Sequence, residues 1–253
     1  MKTLKSIVAI ILVFFILACS SDDDASSNSE QRYFPTQIST VPTGSSEAVN
    51  MNIQYNANNK ISQFSFVNGT QSNTYDTSYN SDGFITSILH TRPDANTLEY
   101  AFEYSNGIVS QVTLINASSS LPLNVDYDEF TNTYNVPSGF GDLAFKYDAS
   151  DNIIDISSSP GNFLFSYNSN AGVFKNVSDN FPLILVISLG SSSSNIFNTL
   201  MFSTKQLTGI TFIGNNVNVE STRNENNEIE TVKLIDATTF EIQSTATITY
   251  ELR

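Results

Sequence analysis

The sequence predicts an all-β protein, an antiparallel meander of about eight hairpin repeats. Three observations lead there. Apolar and polar residues alternate in short runs along residues 33–253, the period of a strand with one buried face. Clusters of Asn, Asp, Ser and Gly separate the runs, and these residues tolerate the positive φ of tight hairpins. The composition also suits strands: 18 Phe and 11 Tyr, much Asn, Ser and Thr, and only 14% charged residues.

The units follow one another in order. Met51, Ile53 and Tyr55 precede the polar turn 56–60, and Ile61, Phe64 and Phe66 follow it. Tyr75, Thr77 and Tyr79 precede Asn80-Ser81-Asp82-Gly83, then Ile85 and Ile88. Tyr100, Phe102 and Tyr104 precede Ser105-Asn106-Gly107, then Ile108, Val112 and Leu114. Leu123, Val125 and Tyr127 lead into Asp128. Leu143, Phe145 and Tyr147 precede Asp148 to Asn152, then Ile154 and Ile156. Phe163, Phe165 and Tyr167 precede Asn168 to Gly172, then Phe174 and Val177. Later units are degenerate. Leu200 and Phe202 lead to a turn near Lys205 and then to Leu207, Ile210 and Phe212. Val217 and Val219 lead to the turn 224–228 and then to Ile229, Val232 and Leu234, and Ile248 and Tyr250 close the chain. Leu183 to Leu189 is apolar without alternation and reads as a strand buried on both faces. Gly190 to Asn195 reads as a flexible loop that folds over the shell mouth.

The partner face carries Asn52, Gln54, Glu103, Asn124, Asp126, Lys146 and Ser166. One face is therefore apolar and the other wet, and the apolar face must be buried. The sheet either curls into a barrel-like shell or folds over into two layers. A shell of about sixteen strands is too wide for its own side chains to fill, so it encloses a cavity. An outer-membrane barrel shares the hairpin pattern. It needs lipid-facing strands of about nine to eleven residues, longer than the alternating runs here.

The N-terminus has its own organisation. Lys2 and Lys5 precede the apolar run Ile7 to Leu17, and Ile16-Leu17-Ala18-Cys19 leads into Ser20-Ser21-Asp22-Asp23-Asp24. This is the layout of a signal peptide cut at residue 18. Eleven apolar residues are too short to span a hydrocarbon core of about 30 Å. The segment resembles the bacterial lipobox, which implies a lipidated Cys19 at the mature N-terminus. Cys19 is the only cysteine, so acylation also accounts for a lone thiol in an exported chain. The acidic stretch resembles the export tether of Bacteroidota surface lipoproteins, implying a lipid anchor in the outer membrane and exposure at the cell surface. The expected organisation is a leader at 1–18, a tether at 19–32 and a hairpin-repeat domain at 33–253.

The unit of Tyr-Asp or Tyr-Asn, a few polar residues, Gly or Asn, one residue and Ile resembles the YD (RHS-type) repeat. Tyr127-Asp128 and Tyr147-Asp148 carry the literal pair; Tyr55, Tyr79 and Tyr167 are followed by Asn. The usual upstream Arg and most glycines are missing. No toxin region follows, so the encapsulation role of long RHS chains does not carry over. The closer resemblance is to Bacteroidota lipoproteins of unknown function built from such hairpins, one family of which is described with a porphyrin-like ligand. That likeness implies an apolar cofactor as one ligand class.

Charge excludes other classes. Removal of residues 1–18 takes away Lys2 and Lys5 and moves the formal net charge from −14 to −16. Such a chain is not drawn to nucleic acid or to an anionic membrane surface. Zinc held by cysteines or several histidines is excluded by one Cys and one His. The turns at Asp148, Asp151 and Asn152, and at Asn224, Glu225, Asn227 and Glu228, offer oxygen ligands, but neither matches a calcium loop. Hairpin chemistry explains them. The sole histidine, His90, follows Ile88-Leu89 at a strand end. No Gly-x-Ser-x-Gly elbow accompanies it as a catalytic base, and an axial role requires a porphyrin ligand. Asp126, Asp128 and Glu129 could form a glycosidase pair only if held about 5–10 Å apart in a cleft. No catalytic constellation emerges, and no enzyme is expected.

The site-like feature is the column Tyr55, Tyr79, Tyr104, Tyr127, Tyr147 and Tyr167, spaced about 20 to 25 residues apart. Facing a cavity, these rings would stack on sugars or flat aromatic ligands. Facing only each other, they form a core ladder. Two functions follow: a ligand-binding shell for a glycan or apolar cofactor, or an interaction module for another envelope protein without a small-molecule site.

Overall fold

The structure, a computed structural model, describes residues 31–137, 142–158, 161–177, 181–190 and 202–253. The leader, Cys19 and the tether up to residue 30 lie outside these, as does the loop 191–195. One compact unit runs from Arg32 to Arg253.

Its described residues form seventeen strands and one short helix: β1 (Tyr33–Pro42), β2 (Val49–Tyr55), β3 (Ile61–Asn68), β4 (Gln71–Tyr79), β5 (Ile85–Thr91), β6 (Thr97–Ser105), β7 (Ile108–Ile115), β8 (Ser120–Asn124), β9 (Asp126–Asp128), β10 (Thr133–Val136), β11 (Leu143–Tyr147), β12 (Ile153–Ser157), β13 (Asn162–Ala171), α1 (Phe181–Gly190), β14 (Lys205–Phe212), β15 (Asn215–Arg223), β16 (Ile229–Asp236) and β17 (Ile242–Leu252). The strands form one antiparallel meander that curls into a nearly closed barrel. The expected all-β hairpin architecture is what the chain adopts, in its barrel-like form.

Closure depends on the two ends of the chain. β1 pairs with β2 on one side and with β17 on the other. The amides of Arg32 and Arg253 exchange hydrogen bonds at 3.0 Å. β17 and β1 thus make an eighth hairpin that has no connecting turn.

The repeat has a shared local grammar. In four turns the first residue is Asn56, Asn80, Asp148 or Asn224, and its side-chain oxygen accepts the backbone N–H groups two and four residues on. The fourth residue is left-handed in every case: Asn59, Gly83, Asp151 and Asn227, with φ of 59°, 85°, 58° and 61°. Asn, Asp and Gly bear that conformation at least cost, which is why the turns are built from them. A register shift marks the residue before each turn, at Tyr55, Tyr79, Tyr147 and Arg223, and another occurs at Tyr104.

Five tyrosines near strand ends tie their strand to the preceding one. The hydroxyls of Tyr79, Tyr104, Tyr167 and Tyr250 donate to the carbonyls of Ile61, Ile85, Ile153 and Ile229, and Tyr55 donates to Pro35. Each such isoleucine is the first residue after the preceding turn. A Tyr79→Phe variant leaves the Ile61 carbonyl one partner short. It should cost about 1 kcal/mol of unfolding free energy, measured by urea denaturation. An unchanged midpoint would show that the tie adds nothing.

The polarity of the barrel follows the alternation. Val49, Met51, Ile53 and Tyr55 of β2 are buried, as are Phe64 and Phe66 of β3. The outward residues bond to each other in rows: Gln37 Nε2 to Asn52 Oδ1 (3.0 Å), Gln54 Nε2 to Gln63 Oε1 (3.1 Å) and Gln63 Nε2 to Asp76 Oδ1 (2.7 Å). A membrane-spanning barrel needs the reverse, an apolar exterior. These strands face water.

Two sequence expectations are corrected. Leu183 to Leu189 lies within the helix α1 and not in a strand. From Leu183 to Ile187 every residue is at most 1% exposed, so the helix is apolar on all sides and belongs to the core cluster. The reason is backbone satisfaction. A segment entering an apolar interior finds no strand edge free to pair with, and a helix supplies its own hydrogen bonds. The second correction concerns Phe174 and Val177, which do not form the return strand of a hairpin. β13 runs on to Ala171, and the insertion between it and β14, described at residues 172–177, 181–190 and 202–204, carries Phe174, Val177 and α1 into the core. The wide shell is therefore filled from within by its own chain.

The insertion is anchored where it leaves and returns. Gly172 passes so close to the returning chain that a Cβ there would lie 2.5 Å from the Ser203 carbonyl oxygen. Asn152, fully buried, accepts from the Thr204 amide (2.9 Å), the Thr204 hydroxyl (2.9 Å) and the Lys205 amide (3.1 Å). Its amide donates to Asp148 and to the Ser150 carbonyl. Lys205 Nζ reaches Asp148 Oδ2 at 3.1 Å.

Candidate functional site

The insertion leaves a pocket of about 610 Å³ at the end of the barrel that carries the Tyr–Asx turns. That volume falls within the roughly 300–1,000 Å³ of small-molecule sites. Tyr127 of β9, Tyr134 of β10 and Tyr147 of β11 form its aromatic side with Phe181 from the start of α1. Arg32, Asn132, Ser150, Asp151, Lys175, Asn176 and Thr204 add polar groups.

The aromatic side is pre-arranged. Tyr134 stacks on Phe181 at 3.9 Å, and Tyr127 tilts against Tyr134 with centroids 4.7 Å apart. Tyr147 meets Tyr134 edge-on at 5.9 Å. Antiparallel pairing of β9, β10 and β11 sets these rings side by side, with Tyr127 opposite Tyr134.

The six sequence-selected tyrosines divide into two groups. Tyr55, Tyr79, Tyr104 and Tyr167 donate to backbone carbonyls and do not line the pocket. Tyr127 and Tyr147 do line it. Tyr127 donates to Asn132 Oδ1 at 2.8 Å. The Tyr147 hydroxyl is buried and has no hydrogen-bond partner among the described residues. Burial raises its pKa well above the usual tyrosine value, and Tyr134, Tyr167 and Asp151 add to the effect. It stays protonated at neutral pH and can donate.

Charges at the pocket are balanced. Lys175 Nζ lies 2.6 Å from Glu228 Oε1, a carboxylate with a side chain only 5% exposed. Asn176 Nδ2 donates to the Tyr33 carbonyl, which leaves its oxygen free to accept. Lys175, Asn176, Phe181, Arg32 and Thr204 were not marked by the sequence. For Lys175, Asn176, Phe181 and Thr204 the only sequence-level sign is the break in the repeat after residue 171, and Arg32 carries none.

The other sequence candidates take structural positions. His90 is 2% exposed, stacks on Tyr75 at 4.3 Å and shares a 2.9 Å hydrogen bond with Asn73. It does not line the pocket. Burial, and then the charge of Arg92, lower its pKa to about 4. Between pH 6.5 and 4 the unfolded chain takes up a proton that the folded chain refuses. Stability present above pH 6.5 is therefore lost as pH falls through this window, by about 3 kcal/mol in total. Urea unfolding at pH 7 and pH 4 should show this loss in the wild type and a smaller one in His90→Phe. Equal losses would contradict it. Asp128 accepts from the Phe130 amide and the Thr131 hydroxyl, so it serves its own turn. Asp148 does the same for Ser150 and Asn152. Among the described residues no three His, Cys, Asp or Glu side chains converge as a metal site.

Fold and site together define, among the described residues, an antiparallel β-barrel with a wet exterior, a helix-filled interior and an aromatic pocket at the end that carries the Tyr–Asx turns. No family model and no curated protein matches the chain. Among solved structures it is similar to a porin-like protein from Bacteroides uniformis ATCC 8492, at 10% identity over 85% of this chain and 96% of that one, with a TM-score of 0.38. It is also similar to a porin-like protein from Bacteroides vulgatus ATCC 8482, at 11% identity over 86% and 99%, with a TM-score of 0.46.

Proposed function

We propose that this chain is an outer-membrane lipoprotein, anchored through Cys19 and exposed at the cell surface, whose barrel binds a small ligand at the mouth pocket. The anchoring rests on the order of charged start, apolar run, Cys19 and acidic tether. The observation that carries the binding function is the pocket itself, about 610 Å³ with an aromatic side in which Tyr134 stacks on Phe181 and Tyr127 tilts against Tyr134.

The ligand classes that remain are a glycan and an apolar cofactor. A porphyrin fits the lining poorly. Seven of the twelve lining residues are polar or charged, which suits a large flat apolar ring badly.

The test is native mass spectrometry and a UV–visible spectrum on the full chain recovered from a bacterial envelope. A bound small molecule that is lost from a Tyr127→Ala variant supports the reading. A clean apo mass in both would overturn it. The same sample tests the second reading, a protein-interaction module. That reading draws on three exposed apolar residues at turns, Phe130, Ile213 and Phe240, which are 102%, 59% and 76% exposed. A stoichiometric protein partner in place of a small molecule would favour it.

A further inference from the structure

We propose that the end of the barrel opposite the pocket docks a protein partner, one that presents an apolar patch flanked by lysine or arginine. The surface is an arc over six neighbouring strands, with Ile213 and Phe240 at its centre. It lies away from the pocket and needs no ligand there.

Strand direction places the arc. The turns 56–60, 80–84, 148–152 and 224–228 lie at the pocket end, so the turns 43–48, 213–214 and 237–241 lie at the other. Of the nine large apolar residues exposed among the described residues, five gather at or near that other end: Val41, Leu164, Ile213, Phe240 and Ile242. They belong to β13, the β14–β15 turn, the β16–β17 turn, β17 and β1. In the series β13, β14, β15, β16, β17, β1 each strand pairs with the next. Single exposed apolar residues need no explanation, but a continuous run of them marks an interaction surface.

Two of the five stand in a conformation that bulky side chains avoid. Ile213 and Phe240 are left-handed, with φ of 46° and 60°. The turns at the pocket end give this place to Asn59, Gly83, Asp151 and Asn227. A β-branched or aromatic residue there is strained, and both side chains are exposed. The isolated barrel gains nothing from either choice. A partner that buries the two side chains offsets the strain with apolar contact.

The tips are held in place before any partner arrives. The Ala237 amide donates to the Asn216 carbonyl at 2.9 Å, which joins the turn bearing Phe240 to the strand that follows Ile213. The Thr43 amide donates to the Gln243 carbonyl at 2.8 Å, which joins the β1–β2 turn to β17. A surface ordered in advance loses less entropy on docking.

Charge selects the partner. Glu47, Asp236 and Glu241 flank the arc, and the turns 43–48, 158–161, 213–214 and 237–241 hold no lysine or arginine. A second copy meeting this end with its own would set carboxylate against carboxylate, and an anionic lipid surface would be repelled likewise. The pocket end of another copy brings no free complement either. Its Lys175, Lys205 and Arg253 already pair with Glu228, Asp148 and Glu251. A different protein with cations around an apolar patch satisfies both halves of the surface.

The experiment places the photo-crosslinker p-benzoylphenylalanine at position 240 of the full chain, on intact cells of its own host. A control carries it at position 81, in an exposed turn of the pocket end. Crosslinked peptides are sequenced. The protein so identified is purified, and its affinity is measured for wild type, Phe240→Asn and Ile213→Asn. Position 240, and not 81, should join one protein at an apolar segment flanked by Lys or Arg. Phe240→Asn should weaken that complex at least about tenfold. Raising salt from about 0.05 M to about 0.5 M should weaken it several-fold. In the free protein Phe240→Asn should melt about 2–4 °C higher, because Asn bears a left-handed φ at less cost.

Crosslinks to a second copy of this chain, to lipid or to an acidic segment would overturn the proposal. So would equal crosslinking at both positions, no crosslink at position 240, or a complex that both substitutions leave intact. A lower melting temperature in Phe240→Asn would show that Phe240 serves the fold and would overturn it too. A small molecule in the pocket should stay bound in Phe240→Asn, so the two readings fail separately.

Discussion

Replacing Asn152 with alanine should lower the unfolding free energy by about 3 kcal/mol, among the larger losses a single side chain produces. Asn152 is wholly buried, and its one side-chain oxygen satisfies three donors, two of them backbone amides of the returning insertion. Alanine leaves the amides of Thr204 and Lys205 and the Thr204 hydroxyl without that acceptor. It also frees Asp148, which Asn152 holds through its amide. Burial opposes the Asp148 carboxylate, but hydrogen bonds from the Asn152 and Ser150 amides and from Lys205 outweigh it and hold its pKa below the usual range. Thr204 lines the pocket, so ligand affinity should fall together with stability. Urea denaturation with paired binding measurements checks both. A loss under about 1 kcal/mol would mean that the insertion is held elsewhere.

Truncation of the interior helix should be of similar size. Leu185→Ala is expected to cost about 3 kcal/mol, and Leu185→Met less than about 1.5 kcal/mol, because methionine conserves volume. Leu183, Ile184, Leu185, Val186 and Ile187 are all at most 1% exposed. Neighbouring positions of an ordinary amphipathic helix would differ sharply, with one face wet. Here Ile184→Ala and Val186→Ala should each cost about as much as Leu185→Ala. Thermal or chemical denaturation of the three variants distinguishes the cases. A near-neutral result at any one position would show that this side of the helix is not packed.

The hairpin architecture was legible in the sequence because its causes are local. Asn56, Asn80, Asp148 and Asn224 close their turns with their own side chains, and Asn59, Gly83, Asp151 and Asn227 carry the left-handed residue. Period-two alternation then fixed which face is buried. The helix was not legible because Phe181–Gly190 is apolar at nearly every position. Neither a period of two nor one of 3.6 shows when every side is buried. Two signals did favour a helix: its ten-residue length, long for a buried strand, and Pro182 in the first turn, where its missing N–H costs nothing.

The site was half legible. The tyrosine column drew attention to Tyr127 and Tyr147, but Tyr55, Tyr79, Tyr104 and Tyr167 look the same in sequence. What separates them is whether a carbonyl of the preceding strand meets the hydroxyl, and that depends on non-local geometry. Of the polar lining, Lys175, Asn176 and Thr204 come from the insertion, which breaks the repeat and carries no motif, whereas Ser150 and Asp151 sit in the turn after Tyr147.

The most direct test of the account is hydrogen exchange on the full chain, with and without the small molecule that co-purifies with it. The account predicts added protection confined to the mouth, in residues 127–134, 147–151 and 175–177. The strands bearing Tyr55, Tyr79 and Tyr104 should exchange alike in both states. Protection along those strands, or a chain that carries no small molecule, would contradict it.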